Sequence, residues 1–271
     1  MQHTLPKNPL RAALVQNAAG ADQQANLDRL VAHWPERGAI DLIALPEVFA
    51  FRGSDEESRA AAEPLDGPLV RWLAAQAVRA HAWVLAGSVL ERDNDRIYNT
   101  SLLFDRAGNL VASYRKMHLF EARTENGRTI RERDVYHPGD RPVLATIDSW
   151  RCGLSICYDV RFPELYRHYA AEGATLLLIP ANFTQRTGRD HWETLVRARA
   201  IENQCFVLAP DQCGANPHTH CRSHGHSLAF GPWGETLATA ADEPTVLRVT
   251  LDPQLLLSTR QRIPALEHRR M

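Results

Sequence analysis

The sequence predicts an α/β fold in which helices flank stacked sheets. Short apolar runs of strand length alternate with segments of helical period along the whole chain, which is the pattern of such folds. Hydrophobic residues make up 44% and charged residues 23% of the 271 positions, so the chain can bury a sizeable core. Because no repeat, low-complexity tract or linker interrupts the alternation, we expect one domain over residues 1–271. The strand order stays open.

The first half of the chain contains two predicted helices among predicted strands. Apolar residues recur at helical spacing over residues 27–34 and again over 69–77, so both segments should bury one face. Apolar runs predict strands at residues 12–16, 41–45, 83–88, 98–104 and 110–114. The turn at 106–109 makes the last two strands a hairpin. The polar, aperiodic stretch 121–141 is predicted to be a long loop, and such loops are often functional.

A βαβ unit opens the predicted second half. A strand over residues 151–156, a helix over 163–172 and a strand over 175–179 follow one another, as in parallel sheets. A helix over 190–203 and a strand over 205–209 repeat the pattern. Three further strands are predicted at residues 226–230, 235–239 and 246–251.

Charge and cysteine content limit the possible partners. The formal net charge is -1, so no overall field attracts nucleic acid or an anionic membrane. No apolar run approaches the ~20 residues that span a bilayer, and the N-terminal segment lacks a secretory-signal pattern. The five cysteines are irregularly spaced, which favours free thiols in a reducing cytoplasm. We expect a cytoplasmic protein with small-molecule partners, and neither nucleic-acid nor membrane binding.

Cys157 is a candidate nucleophile. It ends a predicted strand and precedes a helical segment, so its side chain should project above the sheet edge. Backbone N–H groups at the helix start favour a thiolate and face a developing oxyanion. The alternative is a buried structural cysteine, of which Cys152 on the same strand is an example.

Glu47 and Lys116 are candidate partners of this thiol. Glu47 follows a buried strand among apolar neighbours, where partial desolvation makes a carboxylate a better proton acceptor. Lys116 follows another strand and opens the long loop, where its ammonium would stabilise an oxyanion. Taken alone, each of the two is better explained as a solvent-exposed residue.

The three residues together point to one chemistry. Each lies at the carboxyl end of a predicted strand, and ligands of α/β sheets gather at those ends. Amide hydrolysis needs a nucleophile, a proton shuttle and a positive group for the tetrahedral intermediate. The sequence therefore predicts an amidase site that needs no metal and no organic cofactor.

Three blocks of the sequence resemble the signatures of the nitrilase superfamily of carbon–nitrogen hydrolases. In chain order they are Leu-Pro-Glu at 45–47, Arg-Lys-Met-His-Leu at 115–119 and Cys-Tyr-Asp-Val-Arg-Phe-Pro-Glu at 157–164. The resemblance covers nearly the whole chain. It implies a four-layer α-β-β-α sandwich and a homodimer.

Residue roles come with this resemblance. By it, Cys157 is the nucleophile, Glu47 the general base and Lys116 the cation that stabilises the transition state. The family carries a second glutamate in the loop after the lysine, ahead of a Pro–Gly pair. Glu132 is the best match and Glu125 a weaker one. The expected role of this glutamate is to position substrate and to support the lysine.

The second half resembles the Nit-type amidases, and the deaminated glutathione amidase group more than the ω-amidases of α-ketoglutaramate. The matching segments are 191–193, 197–202, 212–214, 225–227 and 263–270. The implied reaction cleaves a small non-peptide amide through a Cys thioester and releases ammonia or an amine. The Tyr158 backbone N–H would assist at the oxyanion. The candidate substrate contacts are Arg161, Asn182, Phe183 and His191.

Alternatives to this function stay open. ω-Amidase, nitrile-splitting and N-carbamoyl-cleaving activities all use the same trio. A catalytically idle binding scaffold belongs to a different class, but it has no reason to keep all three residues. The arginines of the long loop either bind substrate carboxylates or form a solvated surface; they are Arg123, Arg128, Arg131 and Arg133.

A segment rich in histidine and cysteine is the remaining signal. It contains His218, His220, Cys221, His224 and His226, and such a density can bind zinc. The spacing matches no common zinc motif, and the last histidine begins a predicted strand. A loop that gates the site is therefore the preferred interpretation, and no metal is expected.

Overall fold

The computed structural model describes residues 4–123, 129–216, 218–219 and 221–270. The strands are β1 (Leu10–Gln16), β2 (Leu42–Ala44), β3 (Trp83–Asp93), β4 (Arg96–Phe104), β5 (Leu110–Arg115), β6 (Glu121–Arg123), β7 (Thr129–Arg131), β8 (Val143–Ile147), β9 (Trp150–Leu154), β10 (Leu176–Leu178), β11 (Phe206–Ala209), β12 (Leu228–Phe230), β13 (Thr236–Thr239) and β14 (Thr245–Leu251). The helices are α1 (Gln23–Ala32), α2 (Asp55–Ala61), α3 (Pro68–Ala80), α4 (Pro163–Ala171), α5 (Gln185–Thr187), α6 (Glu193–Asn203) and α7 (Pro253–Arg262). No helix in this part of the chain combines the length and the apolar character that a membrane span needs.

The strands form two six-stranded sheets. The first has the order β14-β1-β2-β3-β4-β5 and the second β13-β12-β11-β10-β9-β8. Each sheet contains three parallel neighbours, β1–β2–β3 and β9–β10–β11, which confirms the predicted βαβ unit. Two antiparallel steps separate β5 from β3, so β5 runs in the same direction as β2. The loops that follow β2 and β5 therefore leave the first sheet on the same side, at the carboxyl ends of the strands.

Alternate residues of the first sheet face two different cores. In β1, Leu10, Ala12 and Leu14 pack between the two sheets, whereas Ala13 and Val15 pack against α1 and α3, as the two-residue period of a strand requires. Each leucine buried in this way contributes about 1.5–3 kcal/mol. Helices α4 and α6 bury their apolar faces against the second sheet. The layers stack as helix, sheet, sheet and helix, which confirms the predicted sandwich.

The stretch predicted as one long loop, residues 121–141, contains ordered elements. Strands β6 and β7 pair as an antiparallel hairpin, and a short 3-10 helix, Glu132–Asp134, follows. The prediction was wrong here because neither strand has a fully buried residue. Backbone hydrogen bonds hold this hairpin, and it has no apolar period to detect.

Helices α2 and α7 and strand β8 were also missed. Helix α2 has no buried residue, but it begins with a capping box between Ser54 and Glu57. Helix α7 begins at Pro253, and the Asp252 side chain before it accepts a hydrogen bond from the N–H of Gln254. Capping residues rather than periodicity carry the signal for both helices.

Candidate active site

Glu47 lies in a tight loop after β2. Its neighbour Val48 has a φ of 47°, a conformation that is costly for a β-branched residue, and the Val48 N–H donates to Ser88 Oγ at 2.9 Å. The loop passes so close to Gly87 of β3 that a Cβ there would lie 2.0 Å from the Pro46 carbonyl oxygen. Contacts from the neighbouring strand therefore fix the backbone that carries the carboxylate.

Lys116 directly follows β5, and backbone contacts hold it on both sides. Its N–H donates to the carbonyl of Asn99 on β4 at 2.9 Å, and its carbonyl accepts from the N–H of Gly139 at 2.8 Å. A Cβ on Gly139 would lie 2.2 Å from the Arg115 carbonyl oxygen, so a larger residue would push the strand end away. The Lys116 side chain is wholly buried, with 0% of its surface exposed.

The ammonium of Lys116 lies between two carboxylates. Nζ is 2.9 Å from Oε1 of Glu47 and 2.8 Å from Oε1 of Glu132. The side-chain amide of Asn99 also donates to Oε1 of Glu47, at 2.8 Å. The other oxygen of Glu132 accepts from the N–H of Phe120 at 2.7 Å. The structure brings together the three charged residues that the sequence indicated, Glu132 among them.

The charges of this cluster set the protonation of its members. Burial alone lowers the pKa of Lys116, but the carboxylates of Glu132 and Glu47 outweigh burial and hold that pKa well above its ordinary value. Burial raises the pKa of Glu132, while Lys116 opposes the rise. The lysine therefore stays an ammonium throughout the neutral range, as a group that stabilises an oxyanion must.

Cys157 occupies a sharp turn from strand to helix. Strand β9 ends at Leu154, and Cys157 opens a short 3-10 helix, Cys157–Arg161, with a φ of 49°. Its N–H donates to the carbonyl of Pro180, just beyond β10, at 2.8 Å. The turn places the side chain at the sheet edge, as predicted, although only 8% of the residue is exposed.

The thiol of Cys157 lies within electrostatic reach of the charged cluster. Burial and Glu47 raise the pKa of Cys157 well above its ordinary value, while Lys116 and the backbone N–H of Asn182 oppose the rise. Backbone N–H groups at the helix start were expected to favour a thiolate, but burial and the nearby carboxylates outweigh the cation and the N–H that lower this pKa. Cys157 therefore rests as a neutral thiol and needs a base at the moment of attack.

Asp159 joins the loop after β9 to the loop after β5. Its buried carboxylate accepts from the N–H of Ile156 at 2.8 Å, on the side of the nucleophile. On the side of the lysine, it accepts from the Tyr114 hydroxyl at 2.7 Å and from the His118 N–H at 3.1 Å. Ring nitrogen Nδ1 of His118 lies 2.7 Å from the same carboxylate. One carboxylate thus sets the spacing between elements of different sheets.

The four candidate substrate contacts include one neighbour of Cys157 and a group of three side chains around Arg161. Arg161 Nη2 is 3.2 Å from Nδ1 of His191. The Arg161 guanidinium also lies 5.5 Å from the ring centre of Phe183 and 5.9 Å from that of Tyr158. Asn182 directs its backbone N–H to the thiol. Arg161 therefore lies among His191 and two aromatic rings, and Asn182 is the one of the four candidates with a described contact to the thiol.

The structure describes three of the four arginines predicted in the long loop, and two of them pair with a surface glutamate. Arg131 and Arg133 both pair with Glu121, at 3.4 Å and 2.5 Å, and Arg123 lies exposed in β6. These contacts favour a solvated surface over a substrate site for Arg131 and Arg133. Three residues considered from the sequence lie outside the described part of the chain: Glu125, Arg128 and His220.

The described histidines of the segment rich in histidine and cysteine, residues 218–226, do not share a common partner. His218 pairs with Glu57 at 3.0 Å, and His226 pairs with Asp242 at 2.8 Å. His224 stacks on His226, with ring centres 4.4 Å apart. Over the described ranges, no group of three His, Cys, Asp or Glu side chains is arranged to hold a metal ion. His226 precedes β12 instead of beginning it, because its φ of 51° is left-handed.

Sequence reasoning assigned no role to Asn99 or Asp159, and it noted Gln212 only as part of a motif. Gln212 Nε2 donates to the backbone carbonyl of Glu47 at 3.0 Å. A signal existed for Asn99, which is a polar residue inside a strand predicted to be buried. A signal existed for Asp159 as well, because an acidic residue in the first turn of a helix commonly accepts from backbone N–H groups.

Comparison with known protein sequences places these residues in a wider context. The model of a family described as carbon-nitrogen hydrolase matches residues 11–261. The chain is 37% identical to the deaminated glutathione amidase of Synechocystis sp. over 269 residues, which cover 96% of this chain and 98% of that one. It is 34% identical to the omega-amidase of Bos taurus over 263 residues, which cover 96% and 95% of the two chains.

Solved structures show the same architecture. The NitFhit protein of C. elegans superposes with a TM-score of 0.90 at 32% identity, over 97% of this chain and 66% of that one. A mutant of the amidase from Nesterenkonia sp. AN1 superposes with a TM-score of 0.80 at 26% identity, over 99% and 97% of the two chains. That amidase carries the acetamide moiety of fluoroacetamide, bound covalently to its active-site cysteine.

Proposed function

The chain belongs to the carbon–nitrogen hydrolase family, and we propose that it hydrolyses a small-molecule amide through a thioester on Cys157. The proposal rests on the buried ammonium of Lys116, which Glu47 and Glu132 hold within electrostatic reach of the thiol. A neutral thiol, a carboxylate and a cation then supply the nucleophile, the base and the oxyanion stabiliser that acyl transfer needs.

In the first half-reaction, sulfur attacks the amide carbonyl carbon while Glu47 accepts the thiol proton. The carbonyl π electrons move to oxygen, where the Lys116 ammonium and the Tyr158 N–H stabilise the negative charge. The Tyr158 N–H lies in the first turn of a short helix, so no helix carbonyl accepts it. Collapse of the intermediate breaks the carbon–nitrogen bond, and Glu47 gives its proton to the departing ammonia or amine. Each oxyanion donor of this kind is typically worth ~10²–10³ in rate.

In the second half-reaction, water attacks the thioester. Glu47 takes one proton from the water as the new carbon–oxygen bond forms. The carbon–sulfur bond then breaks, and the departing thiolate takes that proton back. The sum is one amide and one water converted to one carboxylic acid and one ammonia or amine. Glu132 supports these steps by holding the ammonium in place.

The substrate class that we propose is a short amide with a carboxylate-bearing chain, with deaminated glutathione as the first candidate. Relatives at 34–37% identity are named for deaminated glutathione amidase and omega-amidase activity. The Arg161 guanidinium, four residues after Cys157 in the chain, suits a substrate carboxylate. The ω-amide of α-ketoglutaramate is the second candidate, since it offers the same two groups.

Hydrolysis of a substrate panel, measured as the amine or ammonia that each substrate releases, tests this proposal. The panel contains deaminated glutathione, α-ketoglutaramate, a simple nitrile and an N-carbamoyl amino acid. We expect the largest kcat/KM with deaminated glutathione, and we expect Cys157→Ala to lower it by at least about 10⁴-fold. Cys152→Ala is the matched control, because Cys152 is buried in the core between the sheets. Turnover that survives in Cys157→Ala would refute the mechanism.

We also propose that the protein is a homodimer of single-domain chains, residues 1–271, and that it works in the cytoplasm. All five cysteines are free thiols, which suits a reducing compartment. The core between the sheets contains residues from both halves of the chain, which suits one cooperative domain. Analytical ultracentrifugation that finds only monomer, or two separate unfolding transitions, would contradict these points.

A further inference from the structure

Asn99 is a buried residue of β4 that contacts the proposed catalytic cluster. Only 1% of its surface is exposed, and Nδ2 donates to Oε1 of Glu47 at 2.8 Å. Its backbone carbonyl accepts from the N–H of Lys116 at 2.9 Å. One residue therefore contacts both the base and the cation of the reaction.

The two carboxylate oxygens of Glu47 have different surroundings. Oε1 accepts from Nζ of Lys116 at 2.9 Å and from Nδ2 of Asn99 at 2.8 Å. Within the ranges that the structure describes, no side-chain or backbone donor is hydrogen-bonded to Oε2. Because two donors occupy the lone pairs of Oε1, proton acceptance falls to the other oxygen.

The contact with Glu47 is also what determines the orientation of the Asn99 amide. Its oxygen, Oδ1, is buried and has no partner among the described residues. Burying an unpaired carbonyl oxygen reduces stability, and an apolar residue of similar volume would avoid that loss. The polar side chain at this position therefore contributes chiefly its bond to the carboxylate.

We propose that Asn99 is a positioning residue for the general base: together with Lys116 it fixes Oε1 of Glu47 and leaves Oε2 to accept the proton of Cys157. This inference rests on the proposed amidase function, in which Glu47 is the base. The proposal assigns a different role to each oxygen of the Glu47 carboxylate. Oε1 balances the charge of the ammonium, and Oε2 moves the proton.

Several other titratable groups act on the Glu47 carboxylate. These groups are Lys116, Glu132, Tyr136, Cys157 and Asp211. A substitution at position 99 leaves all of them in place. A change in pH dependence on that substitution therefore reports the lost donor.

Asn99→Leu removes the donor and keeps the branched shape and the number of heavy atoms of the side chain. An N–H donor favours the charged form of a carboxylate, so its loss should move the acidic limb of the kcat/KM profile to higher pH, by about one unit. With deaminated glutathione, kcat should fall about 10- to 100-fold while KM changes less than about threefold, because orientation is lost in the transition state.

Ser101→Ala is the matched control for this variant. Ser101 lies two residues further along β4, hence on the same face of the strand. It is fully buried, and its Oγ likewise lacks a partner among the described residues. We expect this variant to keep the kcat and the pH profile of the unmodified protein.

Alkylation by iodoacetamide provides a readout that does not depend on the substrate. The rate of modification at Cys157 is measured by mass spectrometry at a series of pH values. The pH at which this rate increases should be higher in Asn99→Leu than in the unmodified protein. Asn99→Ala, which also removes the donor, takes its place if the leucine variant does not fold. An acidic limb that stays in place overturns the proposal even if kcat falls, because a merely structural role would lower activity without moving the limb.

Two further variants separate this inference from the proposed function. Cys157→Ala and Glu47→Gln should both be inactive in the same assay. If they are inactive while the Asn99 variants keep the original pH profile, only the role of Asn99 is refuted. If they retain full activity, the proposed function itself is refuted.

Discussion

The two sheets hold their parts of the site by different means. The side chains of Glu47 and Lys116, which follow strands of the first sheet, and that of Glu132, which follows β7, hold one another through contacts of 2.8 Å and 2.9 Å. In the second sheet, Cys157 is fixed by its backbone, through a left-handed φ and a bond from its N–H to the neighbouring loop. The charged half is therefore one interdependent unit, whereas the nucleophile can be replaced without disturbing its surroundings.

The largest expected effect comes from breaking the charged half. Lys116→Ala leaves two carboxylates close together and unpaired, and removing one partner of a buried ion pair costs about 3–5 kcal/mol. Thermal unfolding near neutral pH should therefore show a Tm lower by roughly 10 °C or more in a domain of this size.

Cys157→Ala is the comparison for that measurement. It removes one small side chain and leaves every charge paired, so its Tm should lie within about 3 °C of the original. Similar Tm values for the two variants would show that the charged half is not an interdependent unit.

A smaller effect is expected at Asp159, where the two halves meet. In the original protein each carboxylate oxygen of Asp159 accepts from a backbone N–H. Asp159→Asn keeps one of these oxygens and replaces the other by an NH₂ group, which cannot accept, so at least one hydrogen bond is lost. The spacing of nucleophile and cation should suffer, and kcat should fall about 10- to 100-fold.

Asp148→Asn controls for the loss of one carboxylate charge. Asp148 pairs with Arg106 at the surface, and 43% of its side chain is exposed, so little change in kcat is expected. Equal kcat values in both variants would mean that Asp159 does not align the two halves.

The smallest expected effect is a gain in stability at Asp211. Its Oδ1 accepts from the Phe183 N–H at 3.0 Å, and its Oδ2 has no partner in the described part of the chain. Burial raises the pKa of Asp211 well above its ordinary value. The folded state therefore binds this proton more tightly than the unfolded state, so stability is lost as pH rises from the unfolded pKa towards the folded one.

Asp211→Asn removes that loss, because an amide does not ionise. We expect a Tm higher by about 2–4 °C at pH 8, the shift that ~1 kcal/mol produces in a domain of this size, and little change at pH 4. Circular dichroism during heating at both pH values measures this difference. A lower Tm at pH 8, or the same gain at both pH values, would contradict the assignment.

The three candidate residues Glu47, Lys116 and Cys157 could be located from the sequence because each follows a strand. Strands β2 and β5 run in the same direction, so Glu47 and Lys116 leave the sheet at the same edge, and β9 delivers Cys157 in a similar way. Glu132 was located only through the family resemblance. Its hairpin is too polar to show a period, and its place in the cluster depends on backbone bonds with Phe120.

Contacts between residues far apart in the chain could not be predicted from the sequence. Asn99 and Glu47 are 52 positions apart, and Asp159 and Tyr114 are 45 apart. Such pairs depend on which strands are neighbours, and hydrophobic periodicity gives the faces of a strand but not its neighbours. The protonation of Cys157 was missed for a related reason, because it depends on carboxylates that only the folded chain brings near.

Buried Lys116 has a practical consequence for labelling this protein. Of the 31 lysine and arginine residues, only Lys7 and Lys116 are lysines. A compact ammonium fits between two carboxylates where a planar guanidinium would not. Lys7 is exposed and Lys116 is sealed from solvent, so of the two lysines an amine-directed dye or resin reaches Lys7 and spares Lys116. Immobilisation through lysine chemistry therefore leaves the buried ammonium of Lys116 unmodified.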